Sequence, residues 1–235
     1  MIDLLAFGPH PDDLEIGMGG TIARHTAAGL RVGLCDLTAG EMGSNGTPDE
    51  RLAEAEAARL VLGAAWRMNL RWPDRKIGKD PGHLDEAVSF IRRHRPRVVA
   101  IPYWSDRHPD HVAASEVLTE ASFNAGLRRY VAPGEAWKPD WICYYFINDS
   151  AAPSFVVDVS EHYEQKRLAL ECHSTQFTAP AAGAGVAATR LNTPLFMQLI
   201  DSRDAQFGAL AGVTRAEGFV VREPIVRSSL MKRLP

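Results

Sequence analysis

"RVVAIPY" fills residues 97–103 and is apolar from Val98 onward. A strand without a polar face is expected to be covered on both sides, as a parallel strand between two layers of helix is. The flanking sequence agrees. "HLDEAVSFIRRHRP" (83–96) reads as a helix stopped by Pro96, and "HPDHVAASEVLTEASFNAG" (108–126) as the helix that follows. Further out, "IDLLAFG" (2–8), "RVGLCDLTAG" (31–40), "WRMNL" (66–70), "WICYYFI" (141–147) and "FVVDV" (155–159) read as strands. Between them, "GGTIARHTAAG" (19–29) reads as a helix closed by Gly29. "TPDERLAEAEAARLVLG" (47–63) carries Thr47 as N-cap, Pro48 at the first helical position, Glu50 for a capping box and Gly63 as the stop. "SEHYEQKRLALECHS" (160–174), with Ser160 as N-cap, and "LFMQLIDSRDAQFGAL" (195–210) complete the set. Strands alternating with helices predict an α/β fold with a mostly parallel sheet, helices on both faces and right-handed crossovers.

The 235 residues, 46% hydrophobic, suffice for one domain spanning 1–235. The Ala- and Gly-rich stretch within 175–193 reads as a mobile loop, either a lid or a surface insertion. Net charge is −3, and no basic stripe marks a nucleic-acid binder. The densest basic cluster, "RRHRPR" (92–97), suits a helix end, where cations complement the dipole. The three cysteines, Cys35, Cys143 and Cys172, form no CxxC pair, as expected for reduced thiols in a cytoplasmic protein. The first residues carry no basic region, so no signal peptide is expected, and no run is long enough to span a membrane.

The chemistry concentrates behind two strands. "FGPHPDDLEIGMGG" (7–20) places His10, Asp12, Asp13 and Glu15 after the first strand, and "SDRHPDH" (105–111) places His108 and His111 after the fourth. Open parallel sheets bind ligands beyond the carboxyl ends of their strands, where strand order reverses. The two loops are therefore expected to meet. Crowded carboxylates call for a cation, and imidazole with carboxylate suits zinc. One aspartate then binds the metal and the other takes a proton from water. Each motif alone also has a plainer reading, as a turn residue or a helix-dipole partner. The H-x-D…H pattern equally fits a two-histidine, one-carboxylate iron oxygenase site, although the βαβ alternation and the spare aspartate argue against it. A nucleotide-binding reading lacks G-x-G-x-x-G after the first strand.

"PHPDDLE" with the later "HPDH" resembles the PIG-L/LmbE-like family of zinc-dependent N-acetylglucosamine deacetylases. "GMGGTIA", "CDLTAGEMGSNGT", "LRWPDR", "YYFIN" and "AEGF" look like its bacillithiol branch, which deacetylates N-acetylglucosaminyl malate. The resemblance covers nearly the whole chain. It implies a Rossmann-like fold and a cytoplasmic enzyme, often a hexamer. It implies one Zn2+ per subunit, with Fe2+ as an alternative occupant. Position by position it implies His10, Asp13 and His111 as metal ligands and Asp12 as general base. His108 is the implied protonated group that supports the oxyanion and the leaving amine, with Asp110 a candidate to hold that proton. Malate carboxylates suit arginine, and Arg51 and Arg107 stand beside the motifs, with Glu41 in the glycine-rich loop as a sugar contact. Where relatives tend to carry an oxyanion-supporting tyrosine, Phe196 stands closest. "CHSTQF" (172–177) also departs from the branch pattern, at Ser174 and Gln176.

Overall fold

The computed structural model describes residues 2–178 and 187–226. Its elements are β1 (Ile2–Gly8), α1 (Asp13–Ala27), β2 (Val32–Asp36), α2 (Pro48–Leu62), β3 (Trp66–Asn69), α3 (Pro81–His94), β4 (Pro96–Pro102), α4 (Pro109–Ala125), β5 (Trp141–Tyr145), β6 (Phe155–Asp158), α5 (Tyr163–Cys172), α6 (Ser174–Phe177), α7 (Pro194–Ala211) and β7 (Ala216–Val220). One seven-stranded sheet runs β3-β2-β1-β4-β5-β7-β6. β1 pairs in parallel with β2 on one side and with β4 on the other. The strand order reverses between β1 and β4, and the crevice beyond their carboxyl ends is where such sheets take ligands.

Successive strand residues point to opposite faces, and both faces are covered as expected. Leu4, Ala6, Leu34 and Ala100 pack with Leu14, Ile22, Ala58 and Leu170 from α1, α2 and α5. Leu5, Phe7, Cys35, Val99 and Ile101 pack with Val88, Ile91 and Leu118 from α3 and α4. Thr47 caps α2 with the expected capping box, and Gly63 ends it at φ 71°. The three cysteines are free, with Cys35 and Cys143 buried. No described helix is long and apolar enough to cross a membrane.

Several details differ from the sequence reading. Ser160 does not cap a long helix. It starts a 3-10 turn and its hydroxyl donates to Asp158 Oδ1 at 2.7 Å, α5 beginning only at Tyr163. Of the loop expected over 175–193, residues 179–186 lie outside the described residues. Ser174–Phe177 is the short helix α6, and the Asn45 side chain bonds both the N–H and the carbonyl of Ala187. β7 is an unexpected strand, antiparallel to both β5 and β6. Its sequence, "AEGFV", holds a glutamate and a glycine where a strand signal needs apolar residues.

α1 starts six residues earlier than expected and is broken at Met18, φ −150°. Gly17 lies so close to the Tyr145 ring that a Cβ would overlap it. Buried backbone groups need partners, and side chains from the far end of the chain supply them. Arg203 of α7 donates to Ile16 O at 2.6 Å. Glu217 of β7 accepts from Gly20 N at 3.0 Å and Thr21 N at 2.7 Å. Glu217 is in turn held by Lys166 Nζ at 2.7 Å, which also donates to Asp204 at 2.6 Å. All three are buried. The broken helix is thus a supported feature, and it sets the orientation of the first turn, which carries Asp13.

Candidate metal and active site

The loops after β1 and β4 meet as expected. His10, Asp12, Asp13, His108 and His111 all line one cavity of about 530 Å3. Asp13 opens α1 and joins the two motifs. Its Oδ2 lies 3.0 Å from His10 Nδ1 and its Oδ1 3.3 Å from His111 Nε2. The remaining ring nitrogens also face carboxylates. His10 Nε2 is 3.3 Å from Asp74 and 3.4 Å from Asp110, and His111 Nδ1 is 3.0 Å from Asp106. Asp106 is itself fixed by the His108 N–H at 2.8 Å and by the Asn148 N–H and Nδ2 at 2.9 and 3.0 Å.

Burial works to lower His10, yet hydrogen bonds to Asp110, Asp13 and Asp74 raise it well above the ordinary imidazole range. Against the same burial, Asp13 and Asp106 lift His111 to about 9. Burial would raise Asp13, but His111 and His10 hold it well below the usual carboxylate range. The pocket therefore favours positive charge between these three side chains. A buried set of two imidazoles and one carboxylate, with the far nitrogen of each ring oriented by a carboxylate, matches the donor chemistry and supporting shell of a zinc-class ion. His10, Asp13 and His111 fit such an ion, in a cluster where the donor atoms of His10, His108 and His111, and those of His10, Asp74 and Asp110, lie within 4.8 Å of one another. Replacing His111 by alanine is expected to cost more zinc affinity than the roughly 10–100-fold typical of losing an outer partner. Zinc retention against a graded chelator measures this, and unchanged affinity removes His111 from the donor set.

Asp12 sits beside the trio with φ 118°, a conformation rare outside glycine. The Arg51 guanidinium holds it there, donating to Asp12 Oδ2 at 3.0 Å, to Pro11 O at 2.6 Å and to Gly40 O at 3.1 Å. Burial pushes Asp12 up to about 6, with the Arg51 charge opposing. Asp12 lines the cavity while Arg51 fixes its orientation. His108 caps α4, its Nδ1 accepting the Asp110 N–H at 3.2 Å. Burial, then the charges of His10 and His111, push His108 down to about 4. The Asp110 carboxylate turns instead to His10 and to Arg75 Nη1, 2.9 Å away. The neutral ring thus has Nδ1 as acceptor, leaving the proton for Nε2.

The other sequence candidates divide. Arg107 is exposed on the cavity wall, and no hydrogen bond or ion pair occupies it among the described residues. Arg51 reaches the wall, but its guanidinium is committed to Asp12 and two carbonyls. Glu41 is absent from the wall; it accepts the Asp74 N–H at 2.7 Å and so steadies the loop carrying Asp74. Phe196 lines the cavity, so the wall has no phenol at that place. Glu15, the fourth ionisable group of the first motif, lies below the site. It meets Arg67, which also forks onto Asp36 at 2.7 and 2.9 Å, and this pairing draws Glu15 down to about 2 against its burial. The sequence reading passed over Asp74, Asp106, Asn148 and Arg190. Three of them lay inside quoted motifs, Asp74 in "LRWPDR", Asp106 in "SDRHPDH" and Asn148 in "YYFIN", but none was singled out.

A family model described as PIG-L: GlcNAc-PI de-N-acetylase matches residues 5–122. A diacetylchitobiose deacetylase of Thermococcus kodakarensis is 31% identical over 191 residues, covering 74% of this chain and 70% of its own. A 1D-myo-inositol 2-acetamido-2-deoxy-alpha-D-glucopyranoside deacetylase of Actinosynnema mirum is 29% identical over 251 residues, covering 80% and 86%. Among solved structures, a conserved protein of Thermus thermophilus superposes with a TM-score of 0.89 at 38% identity, over 99% of this chain and 100% of the other.

Proposed function

This chain belongs to the PIG-L family of GlcNAc-PI de-N-acetylases, and from that premise we propose that it is a zinc-dependent hydrolase removing the acetyl group from an N-acetylglucosamine conjugate. The observation that carries the reading is the different placement of its two aspartates. Asp13 is taken up between His10 and His111, while Asp12 faces the same cavity from an arginine clamp. One carboxylate belongs to the metal set and the other is left for proton transfer.

His10, Asp13 and His111 would hold the zinc ion, which would supply Lewis acidity toward the amide carbonyl and the attacking water. The chain's own groups do the rest. Asp12 takes the proton of the attacking water and returns it to the departing nitrogen, so the amide becomes acetate and a free amine. His108, its Nδ1 closed by the Asp110 N–H, offers Nε2–H to the carbonyl oxygen as negative charge develops there. Ile16, Ile147, Leu191 and Phe196 form the apolar part of the wall and suit the acetyl methyl and a sugar face. The preferred aglycone is malate, because Arg107 stands at the wall without a partner among the described residues and carboxylates pair well with guanidinium. The curated relatives named above act on chitobiose and inositol conjugates, whose aglycones carry no carboxylate.

The test is primary-amine release from N-acetylglucosaminyl malate by zinc-loaded protein, beside plain N-acetylglucosamine and a chelated control. Zinc-dependent release, faster from the malate conjugate, is expected. Equal release from both sugars removes malate while keeping the deacetylase. Release that survives chelation sinks the metal mechanism.

A further inference from the structure

Four arginines line the cavity: Arg51, Arg75, Arg107 and Arg190. Two are neutralised by the protein, Arg51 by Asp12 at 3.0 Å and Arg75 by Asp110 at 2.9 Å. The other two have no carboxylate partner among the described residues. Arg190 is exposed, yet it is held in place. Its Nη1 donates to Asn148 Oδ1 at 2.8 Å, and its guanidinium lies over the Phe196 ring, 5.2 Å from the centroid. An exposed arginine usually wanders; this one has a neutral acceptor and an aromatic seat, and neither cancels its charge.

Asn148 is equally constrained. Its Nδ2 points to Asp106 at 3.0 Å, which leaves its oxygen for Arg190. Asp106 in turn faces His111 Nδ1 at 3.0 Å. A continuous chain of polar contacts therefore runs from a metal-set histidine through Asp106 and Asn148 to Arg190. Arg107 follows Asp106 directly in sequence. One uncompensated arginine thus follows the anchored carboxylate in sequence and the other reaches it through Asn148, both on the wall of the same cavity.

We propose that Arg190 is a specificity-determining residue of this enzyme and works with Arg107 as a two-armed site for a doubly anionic aglycone. The inference rests on the deacetylase reading above and deepens it. It assigns the second arm to Arg190, since Arg51 is spent on Asp12. The ligand chemistry is a short dicarboxylate glycosidically attached to N-acetylglucosamine. Each arm takes one carboxylate through its free N–H groups, and the Phe196 ring keeps Arg190 extended toward the cavity.

The experiment is calorimetric binding of the malyl and the methyl glycosides of glucosamine, which carry no acetyl group to hydrolyse, to zinc-loaded wild type, Arg190→Gln and Arg190→Lys. The ratio of the two affinities is the readout, so a general weakening of the site cancels. Wild type is expected to prefer the malyl glycoside. Arg190→Gln is expected to cut that preference by about tenfold or more, the usual worth of a hydrogen bond to a charged group. Arg190→Lys is expected to fall between, keeping charge but losing the fork. A preference unchanged in Arg190→Gln overturns the role of Arg190, and equal wild-type affinities overturn the anionic site altogether. Acetate release from N-acetylglucosaminyl malate by the same wild-type sample is measured in parallel. Selective binding without release would leave the arginine site standing and bring down the deacetylase reading instead.

Discussion

Asp12→Asn is expected to lower kcat by about 10²–10⁴-fold, the range for a positioned proton-transfer group, while bound zinc stays near one per chain. Asparagine is the informative replacement. Asp12 holds φ 118°, and asparagine tolerates positive φ far better than alanine does. It also keeps an oxygen for Arg51, whose buried guanidinium would otherwise lose one of its acceptors. The change therefore removes basicity with little disturbance of shape. Metal content by elemental analysis and turnover on the same sample separate the alternatives. Parallel loss of zinc and activity would make Asp12 a ligand, and near-normal turnover would move the proton acceptor elsewhere.

Lys166→Met is expected to destabilise the fold by about 3–5 kcal/mol, the cost of removing one partner from a fully buried ion cluster. Lys166 and Asp204 are 0% exposed and Glu217 is 1% exposed. Without the ammonium, Glu217 remains out of water with no compensating charge and Asp204 keeps only Arg203. Methionine preserves most of the volume, so little of the loss arises from a cavity. The shift in urea midpoint at unchanged slope reads the effect. A loss under about 1 kcal/mol would mean that water or Arg203, 3.0 Å from Asp204, replaces the lysine.

The parallel half of the sheet and the meeting of the two His-Pro-Asp loops at one cavity were legible because their signals are local. Val98 to Ile101 form an unbroken apolar run, Thr47 and Glu50 form a cap within four residues, and each His-Pro-Asp motif directly follows its strand. What escaped depends on pairings across long stretches of chain. Nothing near Arg51 says that it turns to Asp12, 39 positions away, so it read as a substrate contact. Asp106 looks like one more loop aspartate until Asn148 and His111 close on it. Arg190 shows as one arginine in an alanine-rich stretch, and only its contacts with Asn148 and Phe196 give it a place. β7 was hidden because Glu217, its most important residue, answers to the broken helix rather than to a strand pattern. The lowered pKa of His108 follows first from its burial and then from two neighbouring imidazoles, one of them 98 residues earlier.

The break in α1 at Met18 also bears on the order in which the protein comes together. Every residue proposed for the metal or for proton transfer lies between His10 and His111, so all of them are synthesised ahead of α7 and β7. Yet the backbone that aims Asp13 is closed by Arg203 and Glu217, nearly a hundred residues later. A nascent chain ending before α7 carries the candidate ligands without these contacts, so the support of the helix that Asp13 opens is completed only once α7 and β7 have been made.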